Sequence, residues 1–240
     1  MAFVDNRNEG MVDGGVLLVA AADTGTVVPA QQPLFADSAF AWAPDGSHIA
    51  WTEARSDVSP VAVNALAVDG ASAPVATDTN AFSVTYGKDG QTILFANGDA
   101  SGPDFAAIPF AVRTGGIYSV ATPGGAGAKS PARLTPLFTR QGSYYSDITA
   151  VDSGAVAFTA QGADGESKTI QVLDEGSSRP RTTVTDVAAA AQGPAWGAGD
   201  FVAYVDTSPE SSLVVTDLDN RSPRQVDTGV DTFAWAPPSR

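Results

Sequence analysis

Five aspartates recur at one place in the 240-residue chain: Asp37, Asp78, Asp147, Asp186 and Asp231 each stand shortly before the first strand of a repeat described below. Carboxylates gathered from separate segments have a short list of uses. With backbone oxygens and water they hold Ca²⁺. They attract a Lys or Arg side chain of a partner. A pair at the right separation, one carboxyl kept protonated, supports glycoside hydrolysis. The fourth use is structural, an Asp in a turn bonding its own backbone. A second group of candidates lies in the segment Asn97–Gly116, N-G-D-A-S-G-P-D-F-A-A-I-P-F-A-V-R-T-G-G. Phe105, Ile108, Pro109 and Phe110 supply apolar surface, and Arg113 a cation, where a plain turn would be enough. Long loops in compact domains are often functional, and exposed apolar groups often mark contacts. The alternative is that these groups fold back and are buried.

Other chemistries find little support. The chain has no cysteine, which excludes disulfides, thiolate zinc sites and cysteine nucleophiles. His48 is the only histidine and stands beside Ser47 in a turn, so it reads as a solvated turn residue. The run Gly124-Gly125-Ala126-Gly127-Ala128-Lys129-Ser130 has a superficial likeness to a phosphate loop, but it lacks the first glycine at the required spacing and opens no helix. The formal charge of −14 repels duplex nucleic acid and anionic membranes, and favours a basic peptide, a cation or a positively charged surface. No apolar run reaches the length of a membrane span, and Met-Ala-Phe-Val-Asp is not a signal peptide.

The elements that must position these residues are short strands. Gly (24) and Pro (16) are plentiful and charged residues sparse at 17%, as suits many strands joined by tight turns. The clearest unit is F-A-W-A-P-D-G-S-H-I-A-W-T at Phe40–Thr52, with a second copy, V-T-Y-G-K-D-G-Q-T-I-L-F-A, at Val84–Ala96. Each reads as strand, Asp-Gly turn, strand, because Gly takes positive φ at little cost. Weaker copies lie at Ile148–Thr159 and Pro194–Val205, and a last one, Thr232–Arg240, stops just after its turn. Met1–Asp5 supplies the strand that this last copy lacks.

An aromatic column marks the second strand: Phe3, Trp51, Phe95, Phe158 and Tyr204, at spacings of 48, 44, 63 and 46 residues. Trp42, Tyr86, Trp196 and Trp235 precede the turns. Both sets are expected to fill the wedge between neighbouring sheets. Third strands are expected at Val16–Ala20, Val63–Val68, Ile117–Val120, Ile170–Leu173 and Leu213–Thr216, and fourth strands near Val27–Val28, Pro74–Ala76, Ala132–Leu134, Thr182–Val184 and Arg224–Val226. The expected fold is all-β, a single five-bladed β-propeller with four antiparallel strands per blade. The blades are expected at 39–80, 81–146, 147–192, 193–230, and 231–240 together with 1–38, the ring closing by pairing of 232–236 with 1–5.

The F-x-W-x-P-D-G-x-x-I-A-W pattern at Phe40–Trp51 resembles the Pro-Asp-Gly repeat of TolB-like propellers, as do A-L-A-V-D-G at Ala65–Gly70 and V-V-T-D-L-D-N at Val214–Asn220. The resemblance runs through the whole chain at repeat level, and the later copies lack the full Pro-Asp-Gly. It implies an extracytoplasmic binding scaffold of the periplasm or cell envelope, often one part of a larger protein, and it implies no catalytic residues.

The loops from second to third strand and from blade to blade share one face, around the channel mouth. Asp37, Asp78, Asp147, Asp186 and Asp231 would form an acidic collar there, beside Phe105, Phe110 and Arg113. The expected function is non-catalytic recognition of a protein, peptide or polymer by a monomer, with Ca²⁺ as an optional ligand of the collar. The alternatives are a glycoside-hydrolase-like enzyme using channel-mouth carboxylates and a gating or structural module of a larger protein.

Overall fold

A computed structural model describes residues 2–5, 14–20, 27–35, 39–54, 60–67, 72–77, 81, 83–96, 114–122, 134–151, 153–161, 168–187, 195–196, 200–206, 210–219, 221–230 and 233. These residues form five antiparallel sheets in chain order. The first holds β1 (Ala2–Asp5), β2 (Gly14–Ala20) and β3 (Val27–Phe35); the second β4 (Phe40–Trp42), β5 (His48–Ala54), β6 (Pro60–Ala67) and β7 (Ser72–Thr77). The third holds β8 (Ser83–Tyr86), β9 (Thr92–Ala96), β10 (Thr114–Ala121) and β11 (Thr135–Gln141). The fourth holds β12 (Tyr144–Ala150), β13 (Val156–Gln161), β14 (Lys168–Leu173) and β15 (Arg181–Val187), and the fifth β16 (Ala195–Trp196), β17 (Phe201–Val205), β18 (Leu213–Asp217) and β19 (Arg224–Asp227). Within each sheet the strands lie in sequence order, a meander. Among the described residues no helix is long and apolar enough to cross a membrane.

The third and fourth sheets are covered on both faces, and β9 shows how its sequence achieves this. Successive side chains on a strand point to opposite faces. Ile93 and Phe95 join a core with Ala43, Ala50 and Val63 of the second sheet. Leu94 and Ala96 join Tyr145, Val156 and Phe158 of the fourth. A strand covered on both sides reads as an unbroken apolar run rather than as an alternation, which explains T-I-L-F-A. The fourth sheet repeats the arrangement, Ile170 and Val184 packing on Val202 and Tyr204 of the fifth.

The aromatic column is core. Trp51 is 2% exposed, Phe95 and Phe158 0%, and Tyr204 6%. Phe158 meets Tyr145 edge-on at 5.4 Å and Phe138 of the third sheet at 6.4 Å. Tyr86 is buried as expected, whereas Trp42 is only half-buried. The side chains of Phe3, Trp196 and Trp235 lie outside the described residues.

The expected third strands all form. One fourth strand is displaced: it was expected near Ala132–Leu134 and runs instead over Thr135–Gln141. Pro136 is accommodated because β11 is an edge strand, where a missing N–H costs no ladder bond. A bulge opposite Ile117/Tyr118 absorbs an extra residue and brings Phe138 into contact with Tyr145 and Phe158. The fourth sheet also begins at Tyr144, ahead of the expected boundary at 147, because β12 continues through a bulge between Ser146 and Thr149. The N–H of Ile148, freed at that bulge, donates to Ser83 Oγ of β8 at 2.8 Å, a buried bond between sheets. The expected pairing of 232–236 with 1–5 lies outside the described residues, which show β1 paired with β2.

Truncating Trp51 to Ala is expected to cost about 3–5 kcal/mol, read by urea unfolding. Tyr86 predicts a second effect. Its hydroxyl is buried without a hydrogen-bond partner among the described residues, and burial, followed by the nearby Asp45 charge, raises its pKa above the ordinary phenol value. A raised folded-state pKa means that the folded chain holds this proton longer than the unfolded one. The resulting stability is complete below about pH 10 and declines as pH rises beyond it. Tyr86→Phe should be neutral or stabilising by about 1 kcal/mol at pH 7, and should flatten the alkaline loss of stability.

Candidate functional site

In a meander of four strands, the turns from first to second and third to fourth strand lie at one end, and the second-to-third loops at the other. The described residues show the first end best. In the second sheet Gly46 N–H donates to Ala43 O, and Gly46 adopts φ +72°, a type I turn followed by a left-handed residue. The third sheet repeats it with Gly90 donating to Gly87 O, at φ +66°. The fourth uses a shorter turn closed by Gly154 at φ +86°, and in the fifth Asp200 takes the left-handed conformation itself at φ +61°.

The turn aspartates are occupied by their own backbone. Asp45 Oδ1 accepts from Ser47 N–H at 2.9 Å and from Ser47 Oγ at 2.6 Å, and those bonds hold the Asp45 carboxyl below its ordinary pKa. Asp89 accepts from Gln91 N–H, Thr92 N–H and Thr92 Oγ. His48, expected in the turn, is the first residue of β5, with Nδ1 2.7 Å from Ser47 Oγ. Asp45, Ser47 and His48 are therefore linked with the serine in the middle. A nucleophilic triad needs the imidazole between carboxylate and hydroxyl, so this trio is a turn network.

At the opposite end, the sequence-predicted site residues are placed only in part. Asp37, Asp78, Asp231, Phe105, Phe110 and Arg113 lie outside the described residues. Two of the five aspartates are described and neither sits in a loop before a first strand. Asp147 is inside β12, at the bulge, with φ +51°, and its Oδ2 accepts from Ser146 Oγ at 2.7 Å. Asp186 belongs to the last strand of its sheet, β15, between the paired residues Val184 and Val187, where the register shifts. The expectation is corrected for Asp147, which lies within the first strand of its sheet because pairing continues through the bulge, whereas Asp186 still precedes β16 but belongs to a strand rather than a loop. Among the described residues, no three His, Cys, Asp or Glu side chains gather to hold a metal ion.

Sequence reasoning missed a cleft of about 680 Å³ between the third and fourth sheets, at the turn end. Leu94, Leu137, Val156 and Leu173 line it together with Lys88, Asp89, Asp174 and Glu175. The charged residues come from the first turn of one sheet and the last turn of the next, and the apolar ones from the strands beside them. Such proximity has no signal in a repeat pattern, because it depends on how two sheets splay apart.

Neither a family model nor a curated protein sequence matches the chain. Solved structures do match in fold. TolB from Acinetobacter baumannii superposes with a TM-score of 0.64 at 14% identity, covering 95% of this chain and 52% of that one. A chain of the nidogen/laminin complex matches at 0.55 and 14%, covering 89% and 71%. A puromycin-hydrolyzing peptidase of Mycobacterium tuberculosis matches at 0.59 and 14%, covering 92% and 36%. The five meandering sheets packed face on face thus make a β-propeller. More narrowly, the fold is that of a TolB-like propeller, and the chain spans about half the length of the TolB chain it matches.

Asp147 offers a direct test of the bulge. Asp147→Val, a β-branched residue at positive φ, should lose about 1–3 kcal/mol, while Asp147→Gly should stay within about 1 kcal/mol of the parent. Thermal unfolding of the two variants side by side checks this.

Proposed function

We propose that this propeller is a non-catalytic binding scaffold that recognises a protein, peptide or polymer through the face bearing the second-to-third loops. The observation that carries the reading is the link between β9 and β10. Both strands pair in full register from Ile117↔Ala96 to Ala121↔Thr92, and residues 97–113 are the segment that joins them in sequence. That segment holds Phe105, Phe110 and Arg113. A rigid scaffold with a long functional loop is the usual design of a recognition surface. The fold likeness to TolB and to a chain of the nidogen/laminin complex supports a binding role.

On this reading Asp37, Asp78 and Asp231, with Asp147 and Asp186 set back in their sheets, bias the rim toward a cationic group of the partner or Ca²⁺. The compartment proposed is extracytoplasmic. The ring is proposed to close by pairing of 232–236 with β1, which would cover the open edge of the first sheet. A gating or accompanying module of a longer protein is a second reading, favoured by the partial coverage of the peptidase and TolB chains.

Replacing 97–113 by a short Gly-Ser linker should leave the melting temperature within a few degrees and reduce capture of the partner from an envelope fraction at least tenfold. Unchanged capture would refute the assignment of this face. Deleting 232–240 should lower the melting temperature and cause self-association, read by size-exclusion chromatography. A monomeric, equally stable truncation would refute the closure.

A further inference from the structure

The cleft between the third and fourth sheets lies at the opposite end from the face assigned above, and its charges are unequally committed. Both carboxylate oxygens of Asp89 are held by its own turn. Asp174 Oδ2 lies 3.5 Å from Arg181 Nε. Lys88 already has a partner. Glu175 is different. Among the described residues its carboxylate has no hydrogen-bond or ion-pair partner, although it lines the cleft. Its Oε2 lies 2.9 Å from the point a β-carbon on Gly154 would occupy, so the carboxylate rests against the one residue of that turn that leaves room for it. Leu94, Val156 and Leu173 line the same cleft. A carboxylate without a partner beside an apolar lining, in a cleft of ligand-binding size on a chain of charge −14, is complementary to a cation carried on an aliphatic stem.

We propose that this cleft binds a Lys or Arg side chain of a peptide, its ammonium or guanidinium group meeting Glu175 and its methylene stem lying along Leu94, Val156 and Leu173. Three features favour this occupant over an anion. Among the described lining residues there are three carboxylates against one ammonium, Lys88 already has a partner, and the uncommitted group is the carboxylate of Glu175. This site is independent of the loop face, and either assignment can fail without the other.

The test uses the full chain and two peptides, acetyl-Leu-Lys-Leu-amide and the same peptide with norleucine in place of Lys. Amide chemical shifts are followed during titration. The Lys peptide should bind saturably, shifting the amides of Gly87, Ser153, Gly154 and Gly176, and the norleucine peptide should bind at least tenfold more weakly. Glu175→Gln, an exposed and conservative change, should fold with an unchanged melting temperature and weaken the Lys peptide about tenfold, the effect of losing a charge-assisted contact at a partly exposed site. Replacement of 97–113 should leave this binding intact. Equal affinity for the two peptides, equal binding by Glu175→Gln, shifts located elsewhere, or no saturation at millimolar peptide would each overturn the proposal.

Discussion

Each inner sheet of this protein is stable only with a neighbour on both faces. A four-stranded meander with apolar side chains on both surfaces would expose both if it stood alone, and burial of apolar surface is the dominant favourable term in folding. Ile93 and Phe95 face one neighbour while Leu94 and Ala96 face the other. Tyr145, Phe95 and Phe158, among the largest buried side chains of the described residues, sit in these contacts, where bulk is needed because the sheets diverge. Polar links reinforce the stacking at its ends. Ile148 N–H bonds Ser83 Oγ between the third and fourth sheets, and Arg181 reaches Asp219 at 3.1 Å and the Leu218 carbonyl at 2.8 Å between the fourth and fifth. The exposed ion pair adds little by itself; the buried bond matters because an orphaned N–H there would carry its full desolvation cost.

This constraint separates the residues that build from those left free to act. Side chains between sheets are committed to packing, and the turn aspartates to their own backbone, as Asp45 and Asp89 show. On the readings proposed above, function on such a scaffold falls to the segment 97–113 that joins β9 to β10 and to the cleft between turns at the other end. That division explains how folds of similar sheets appear in TolB, in the nidogen/laminin complex and in a peptidase with 14% identity to this chain in each case. The packing rules are shared and the projecting segments are not.

Acidic composition acts on both ends alike. A charge of −14 over 240 residues disfavours anionic partners at long range, yet binding is decided locally by which carboxylates remain unsatisfied. Asp45 illustrates the distinction. It is the most recognisable acid of the repeat and the least available, because a serine hydroxyl and a backbone amide already occupy it. Glu175, with no place in any motif, is the one without a partner among the described carboxylates that line the cleft.

The order of strands, the Asp-Gly turns and the burial of the aromatic column were legible in the sequence. Each depends on residues close along the chain: Gly46 and Gly90 supply the positive φ that their turns require, and Trp51, Phe95, Phe158 and Tyr204 recur at blade-sized spacing. Strand extents were less legible. Pro136 and Asp147 look like strand breakers, yet an edge position and a bulge keep both inside strands. The cleft beside Glu175 was not legible at all. It joins turns more than eighty residues apart, Gly87 to Ser178, and its width follows from the angle between two packed sheets. Local sequence dictates what pairs within a sheet. Only the stacking of sheets decides which turn ends face each other, and so which side chains meet in the cleft beside Glu175.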